Sequence, residues 1–310
     1  MKKSKILINL IILFFTLINS SISIENEIIF KINNEIITKI DVENEYRYLI
    51  ALNKNLKNLN KNEILEISKK SIVKEKIKII ELSKNFKNPI IPEKYIELIL
   101  QNIYNQIDID NLNDFKGYLI NKNVNYQDVI KKIEIEALWN ELIVEKFSSR
   151  IKINKQEIRN RIIDNKDKTT KSYLMSEIIF EISNSSELTR KYEEIKKTIK
   201  EKGFDNAALT HSTSGTSNLG GKLGWINENS LNKKLREILS SIKENEFTDP
   251  ITIPGGFMIL NINKIKEIET FKNIDDEVEK IINLKKNSQL NQFSKMYFNK
   301  IKNNMQINEI

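Results

Sequence analysis

Leu219-Gly220-Gly221-Lys222-Leu223-Gly224-Trp225 is the stretch on which the reading of this chain turns. Three glycines surround one leucine and lead into a tryptophan, with helical patterns on either side. Glycines so placed let the backbone take positive φ and approach other backbone closely. They do not make a phosphate cradle, because Lys222 is not followed by Ser or Thr and a helix. Upstream, residues 173–182 alternate and are rich in β-branched side chains, which predicts a strand. A helix is expected over 188–202, stopped by Gly203, then a short one over 204–210. Downstream, a helix is expected over about 232–242 and strands over 247–250 and 257–262. The stretch therefore sits in a small α/β unit of about residues 172–264.

Further out the pattern is helical. Ile28-Ile29-Phe30-Lys31-Ile32 reads as a strand, Asn33-Asn34 as a tight turn and Glu35-Ile36-Ile37 as the returning strand. Thr38, with Asp41 three residues on, is expected to cap a helix. Apolar residues at steps of three and four predict helices over 62–85, up to about 107, 113–120, 126–147 and about 153–164. Pro92 is expected in the first turn of the third of these. Residues 165–170 are polar and read as a linker. Residues 275–303 form one long helix whose apolar stripe is too large to leave in water, so it is expected to dock on the N-terminal helices. Residues 306–310 are expected to add an edge strand beside residues 28–32.

The first residues carry a different message. Lys2, Lys3 and Lys5 precede an apolar run over 6–18, and Ser21 and Ser23 offer a cleavage site before Ile24. This is the three-part pattern of a secretory signal peptide over residues 1–23. The alternative is an uncleaved anchor, but the run is shorter than the about 20 residues that span a bilayer. The formal charge is +8, and three of those charges lie in the signal. Lysine and glutamate are interleaved along the helices, as on solvated faces, and no basic element with aromatic platforms marks a nucleic-acid surface. With no cysteine and one histidine, neither disulfides nor a transition-metal site is expected.

The glycine stretch, taken with Asp249-Pro250-Ile251-Thr252-Ile253-Pro254-Gly255-Gly256-Phe257-Met258-Ile259-Leu260, resembles the parvulin family of peptidyl-prolyl cis/trans isomerases. With the signal, the opening hairpin and the long last helix, the whole chain is similar to SurA-type periplasmic folding factors. The resemblance implies an α+β protein: a SurA-like helical domain over 24–171, completed by the C-terminal helix of 265–310, with one parvulin-like (FKBP-like) α/β domain inserted at 172–264. It implies unfolded polypeptides, outer-membrane proteins among them, as partners in the periplasm of a Gram-negative-type envelope. It implies no cofactor, no metal, no nucleic acid, and membrane contact only through the signal before cleavage.

Prolyl isomerisation has a barrier of about 18–20 kcal/mol from amide resonance. It needs tighter binding of the twisted amide, not covalent chemistry. Parvulins use a shallow apolar pocket above a polar cluster that commonly holds two histidines and a Cys or Asp. In this chain the first histidine position carries Glu177, the last carries Met258, and the Cys/Asp position carries Ser214. Leu223, Trp225, Leu231, Leu235 and Phe257 are the candidate substrate-binding residues. His211 matches neither histidine position and is expected in a turn.

Two readings stay open. In one, catalysis is weak or lost, because a buried unpaired Glu177 is costly, and the chain binds unfolded envelope proteins. In the other, Glu177 and Ser214 rebuild a polar cluster and the domain is an active isomerase of exported proteins. A third reading, a signal-anchored factor at the inner membrane, is distinguished by the native N-terminus.

Overall fold

Ile28–Ile32 (β1) and Glu35–Thr38 (β2) pair around the Asn33-Asn34 turn. Asn33 takes φ 52°, a left-handed conformation that asparagine tolerates. Helix α1 (Lys39–Leu52) starts at a complete capping box: the Thr38 side chain accepts from the Asp41 N–H, and the Asp41 carboxylate accepts from the Thr38 N–H. The computed structural model describes residues 27–87, 89–164, 170–182, 184–268 and 274–310. The expected signal peptide and its cleavage site lie outside the described residues.

Four more helices follow: α2 (Lys61–Asn85), α3 (Glu93–Gln106), α4 (Leu112–Asn121) and α5 (Tyr126–Phe147). Pro92 is the residue before α3 rather than part of its first turn, with ψ 130° that the helix cannot use. Helix α6 (Lys155–Asp164) leads toward the α/β unit. Two clusters organise these helices. Phe115, Leu119 and Val129 anchor one among α3, α4 and α5. The other holds Ile32, Ile37, Ile77, Trp139 and Leu142, and it is closed by the last helix, α10 (Ile274–Asn303).

Leu290, Phe293, Tyr297, Phe298 and Ile301 of α10 pack on that second cluster. Phe293 stacks on Phe147 with centroids 5.1 Å apart, and the Trp139 indole N–H donates to Ser294 Oγ at 2.8 Å. At its other end α10 buries Val278 and Ile281 against Ile158 and Ile162 of α6. Strand β8 (Ile307–Glu309) then pairs with β1, giving a three-stranded sheet of order β2-β1-β8. The docking and the added edge strand both match the sequence expectation. No described helix is long and apolar enough to cross a membrane.

One buried charge is fixed inside this scaffold. Lys132 of α5 meets Glu45 of α1 at 2.6 Å and also pairs with Glu75 of α2. Burial works against its charge, but the two carboxylates outweigh that and hold its pKa above the ordinary lysine value. Tyr48 beside them is pushed up to about 12 by burial.

The α/β unit is an antiparallel sheet of order β4-β3-β7-β5, with β6 also on β7: β3 (Thr170–Phe180), β4 (Lys222–Asn227), β5 (Glu246–Phe247), β6 (Ile251–Ile253) and β7 (Gly256–Ile268). Helices α7 (Leu188–Lys202) and α8 (Phe204–His211) cover one face through Ile195, Phe204, Ala207 and Ala208. Helix α9 (Lys233–Ser240) and the segment before it cover part of the other through Leu231 and Leu239. Two expectations change here. Residues 222–227, where no strand is expected, are a sheet strand, because Gly221 ends the turn and the next residues pair with β3. Of residues 247–250, only Phe247 belongs to a strand, and Ile251–Ile253 forms a short strand of its own.

The α/β unit is held to the helices at three places. Leu209 enters a core with Leu49, Leu56, Leu59, Ile64 and Ile67, and Lys202 pairs with Glu63 nearby. Arg161 of α6 donates to the carbonyls of Asn229 and Leu231, each at 3.3 Å. From α10, Lys295 reaches Glu181 at 3.3 Å and the Gly255 carbonyl at 3.2 Å, while Asn299 donates to Glu181 at 2.7 Å.

Candidate functional site

Strand alternation decides what faces the site. On β3, Met175, Glu177, Ile179 and then Glu181 face a cavity, while Ile178 and Phe180 turn to the α7/α8 side. On β7, Met258 and Leu260 share the cavity face. Glu177 is cross-strand partner of Leu260, and Ile179 of Met258. Glu177 and Met258, expected at the two family histidine positions, thus lie diagonally on one face.

The segment 212–221 is strapped along β3. The Ile179 N–H donates to Ser212 Oγ at 3.0 Å, and the Thr213 N–H donates to the Ile179 carbonyl at 2.7 Å. The Glu177 N–H donates to the Gly221 carbonyl at 2.7 Å. A β-carbon on Gly221 would stand 2.1 Å from the Glu177 carbonyl oxygen, so only glycine permits this approach.

This strapping delivers hydroxyls to the carboxylate. Ser214 Oγ and Thr216 Oγ1 both donate to Glu177 Oε1, the latter at 2.9 Å, and the two hydroxyl oxygens are 3.0 Å apart. Glu177 is buried but not unpaired, so the cost expected for an isolated carboxylate is offset by two hydrogen bonds. Thr216 is absent from the sequence expectation. Its spacing from Ser214, two residues on in a turn that points both hydroxyls one way, was the available signal.

The apolar wall is made by Leu223, Leu231 and Leu235, as expected. Trp225 and Phe257 are not on it. Gly224 at φ +78° interrupts the alternation of β4, so Leu223 and Ile226 face inward together and Trp225 turns out, under the Lys266 ammonium 4.1 Å from its ring centroid. Phe257 faces the other side of β7 and stacks on Phe180 at 5.7 Å.

The cleft continues beyond the α/β unit. It forms one end of a cavity of about 1630 Å³ whose other walls are α2, α5 and α10, including Ile77, Trp139 and Phe298. No group of three or more His, Cys, Asp or Glu among the described residues is placed to hold a metal ion.

His211 lies at the end of α8, off the cavity wall, with Nε2 2.9 Å from Thr198 Oγ1. Burial, with Lys191 and Lys70 nearby, pushes its pKa down from 6.5 to about 4. The unfolded chain therefore binds the extra proton first as pH falls. Stability contributed by neutral His211 is complete above pH 6.5 and is lost progressively as pH falls toward 4. The slope is at most about 1.4 kcal/mol per pH unit and is reduced by partial solvent screening. Urea melts at pH 7, 6 and 5 should show this decline, and His211→Gln should flatten it; a profile unchanged by the substitution would contradict the assignment.

Residues 178–264 match the family described as Rotamase, the PPIC-type PPIASE domain. The chain carries a PPIC-type parvulin domain and is similar to SurA chaperones. It is 25% identical over 162 residues to the chaperone SurA of Pseudomonas putida, covering 49% of this chain and 38% of that relative. It is 21% identical over 178 residues to the chaperone SurA of Methylococcus capsulatus, covering 54% of this chain and 39% of that relative. The chain thus spans well under half the length of the curated relatives it matches. Among solved structures, it is 19% identical to one of two SurA-like chaperones of Campylobacter jejuni, PEB4 and Cj1289, with a TM-score of 0.35, covering 92% of this chain and 99% of that one. The matched parvulin region begins one residue after Glu177, so the carboxylate stands at its very edge.

Proposed function

We propose that this chain is an exported folding factor that binds unfolded polypeptides, envelope and outer-membrane proteins among them, in the periplasm. On this reading residues 24–171 and 265–310 form one helical chaperone domain, and residues 172–264 form the parvulin domain. The observation that carries the reading is the shared cavity. A proline-binding wall of Leu223, Leu231 and Leu235 opens into about 1630 Å³ bounded by helices from both ends of the chain. That volume exceeds the roughly 300–1,000 Å³ of a small-molecule pocket and suits a length of extended chain.

The polar cluster at Glu177, Ser214 and Thr216, with Met258 opposite, supports slow isomerisation. Met258 brings no hydrogen bond to the site, and the Glu177 Oε1 acceptor is engaged within the protein. The second reading, an active isomerase, is favoured by the fact that Glu177 is satisfied and the apolar wall is complete, since the reaction needs no proton transfer.

The test has two arms. The exported chain at stoichiometric concentration should suppress aggregation of a diluted, unfolded β-barrel protein; failure to do so would overturn the chaperone reading. NMR exchange on a short Ala-Pro peptide should stay near the uncatalysed rate. Exchange far above that rate, lost in Leu235→Ala with folding intact, would establish the enzyme instead.

A further inference from the structure

Twelve charged side chains line the cavity, eight lysines and four glutamates. The cavity therefore carries an excess of four positive charges, while the whole chain carries +8 from 50 basic and 42 acidic residues. What sets the cavity lysines apart is their pairing rather than their number. The glutamates are already engaged. Glu136 pairs with Lys78, Glu157 with Arg161, Glu181 with Lys295, and Glu177 accepts from the Ser214 and Thr216 hydroxyls. By contrast Lys70, Lys74, Lys152, Lys234, Lys285 and Lys302 have no carboxylate within ion-pair distance among the described residues. These six come from α2, the α5–α6 connection, α9 and α10, so they surround the cavity rather than mark one helix face.

We infer that the cavity selects extended polypeptide segments bearing aspartate or glutamate on either side of the proline held at Leu223, Leu231 and Leu235. The inference rests on the polypeptide-binding function proposed above and specifies the chemistry of its ligand. Ordinary surface lysines gain little from a carboxylate, because water screens the pair. Lys70, Lys152, Lys234 and Lys302 are exposed and each gains little alone, but around one concave site, with the half-buried Lys74 and Lys285 among them, the field of like charges adds up. Lys74 and Lys285 show the strain of that arrangement. Both are half-buried, and burial holds both below the ordinary lysine range, Lys74 at about 8, with Lys78 pressing on it as a like charge. An arriving carboxylate relieves that unpaired charge, whereas an arriving lysine or arginine worsens it.

The experiment compares three labelled peptides of equal length, each with one central Ala-Pro, flanked by glutamates, by serines or by lysines. Binding to the exported chain is measured by fluorescence anisotropy in about 20 mM and about 300 mM salt. The acidic peptide should bind about tenfold more tightly than the serine peptide at low salt, with the margin shrinking at high salt, and the lysine peptide should bind most weakly. Lys234→Gln with Lys302→Gln, both at exposed positions, should narrow the margin between acidic and serine peptides. Equal binding of all three, or preference for the lysine peptide, would overturn the charge selection while leaving polypeptide binding intact. Absence of binding by all three would instead overturn the functional reading on which the inference stands.

Discussion

A chain ending at Ile268 is expected to lose the cooperative fold of its N-terminal half and to aggregate. The deleted residues 274–310 carry Leu290, Phe293, Tyr297, Phe298 and Ile301 out of the cluster around Trp139 and strip β8 from the edge of β1. Full burial of such a side chain is worth about 1.5–3 kcal/mol; Ile301 is buried and the other four are partly so, each contributing less. Their sum approaches the whole stability of a domain, about 5–15 kcal/mol. The deletion also leaves the Trp139 indole N–H without Ser294 and the parvulin domain without its Lys295 and Asn299 clasp. Excised residues 170–268 should behave differently and fold alone, because β3 and β7 pair over their full length and two apolar clusters lie within that segment. Circular dichroism melts and light scattering on the two shortened chains check both outcomes. A truncated chain that stays monomeric and as stable as the full one would show that α10 does not complete the N-terminal core.

Gly221→Ala is expected to cost about 2–5 kcal/mol and to dismantle the polar cluster. Gly221 has φ +75°, which an alanine adopts only at a cost of about 1–2 kcal/mol. The new methyl group would also meet the Glu177 carbonyl at 2.1 Å and the Ala208 β-carbon at 3.2 Å. Overpacking of this kind adds about 1–3 kcal/mol, and here the neighbour is backbone that cannot swing aside. Because Gly221 also accepts from the Glu177 N–H and donates to the Thr216 carbonyl, relief of the clash moves the carboxylate away from its hydroxyls. Gly255→Ala is the control: φ is +81°, but nothing lies within 4 Å of its added carbon, so only the conformational cost applies. Urea unfolding should separate the two variants by about 1–3 kcal/mol. Equal losses would mean that the segment 212–221 yields easily at Gly221.

Much of the fold was legible locally. Thr38 with Asp41, the Asn33-Asn34 turn, and the helices Tyr126–Phe147 and Leu188–Lys202 follow from capping, turn chemistry and apolar periodicity that each segment carries within itself. The pairing of residues 307–309 with β1 was also readable, because the docking stripe of α10 returns the chain to its beginning. Lys222–Asn227 follows two glycines and is interrupted by a third, so it does not look like a strand, and only its pairing with Ser172–Ser176 makes it one. Pro92 was placed one position too far into its helix because missing N–H groups are tolerated at either place.

The site divides in the same way. Read with the family resemblance, the sequence places Glu177, Ser214 and Met258 at the expected polar-cluster positions and leucines on the expected pocket, and by itself it requires the last helix to dock. The site expectations depend on residue type at a spacing from the glycines, and the docking on the apolar stripe of the helix itself. Only the tertiary structure decided that Thr216 joins Ser214 on Glu177, that Trp225 and Phe257 face away, and that α2, α5 and α10 close over the cleft with unpaired lysines. Side-chain direction beside a positive-φ glycine and the meeting of elements more than a hundred residues apart depend on long-range register and packing, which no local window of sequence encodes.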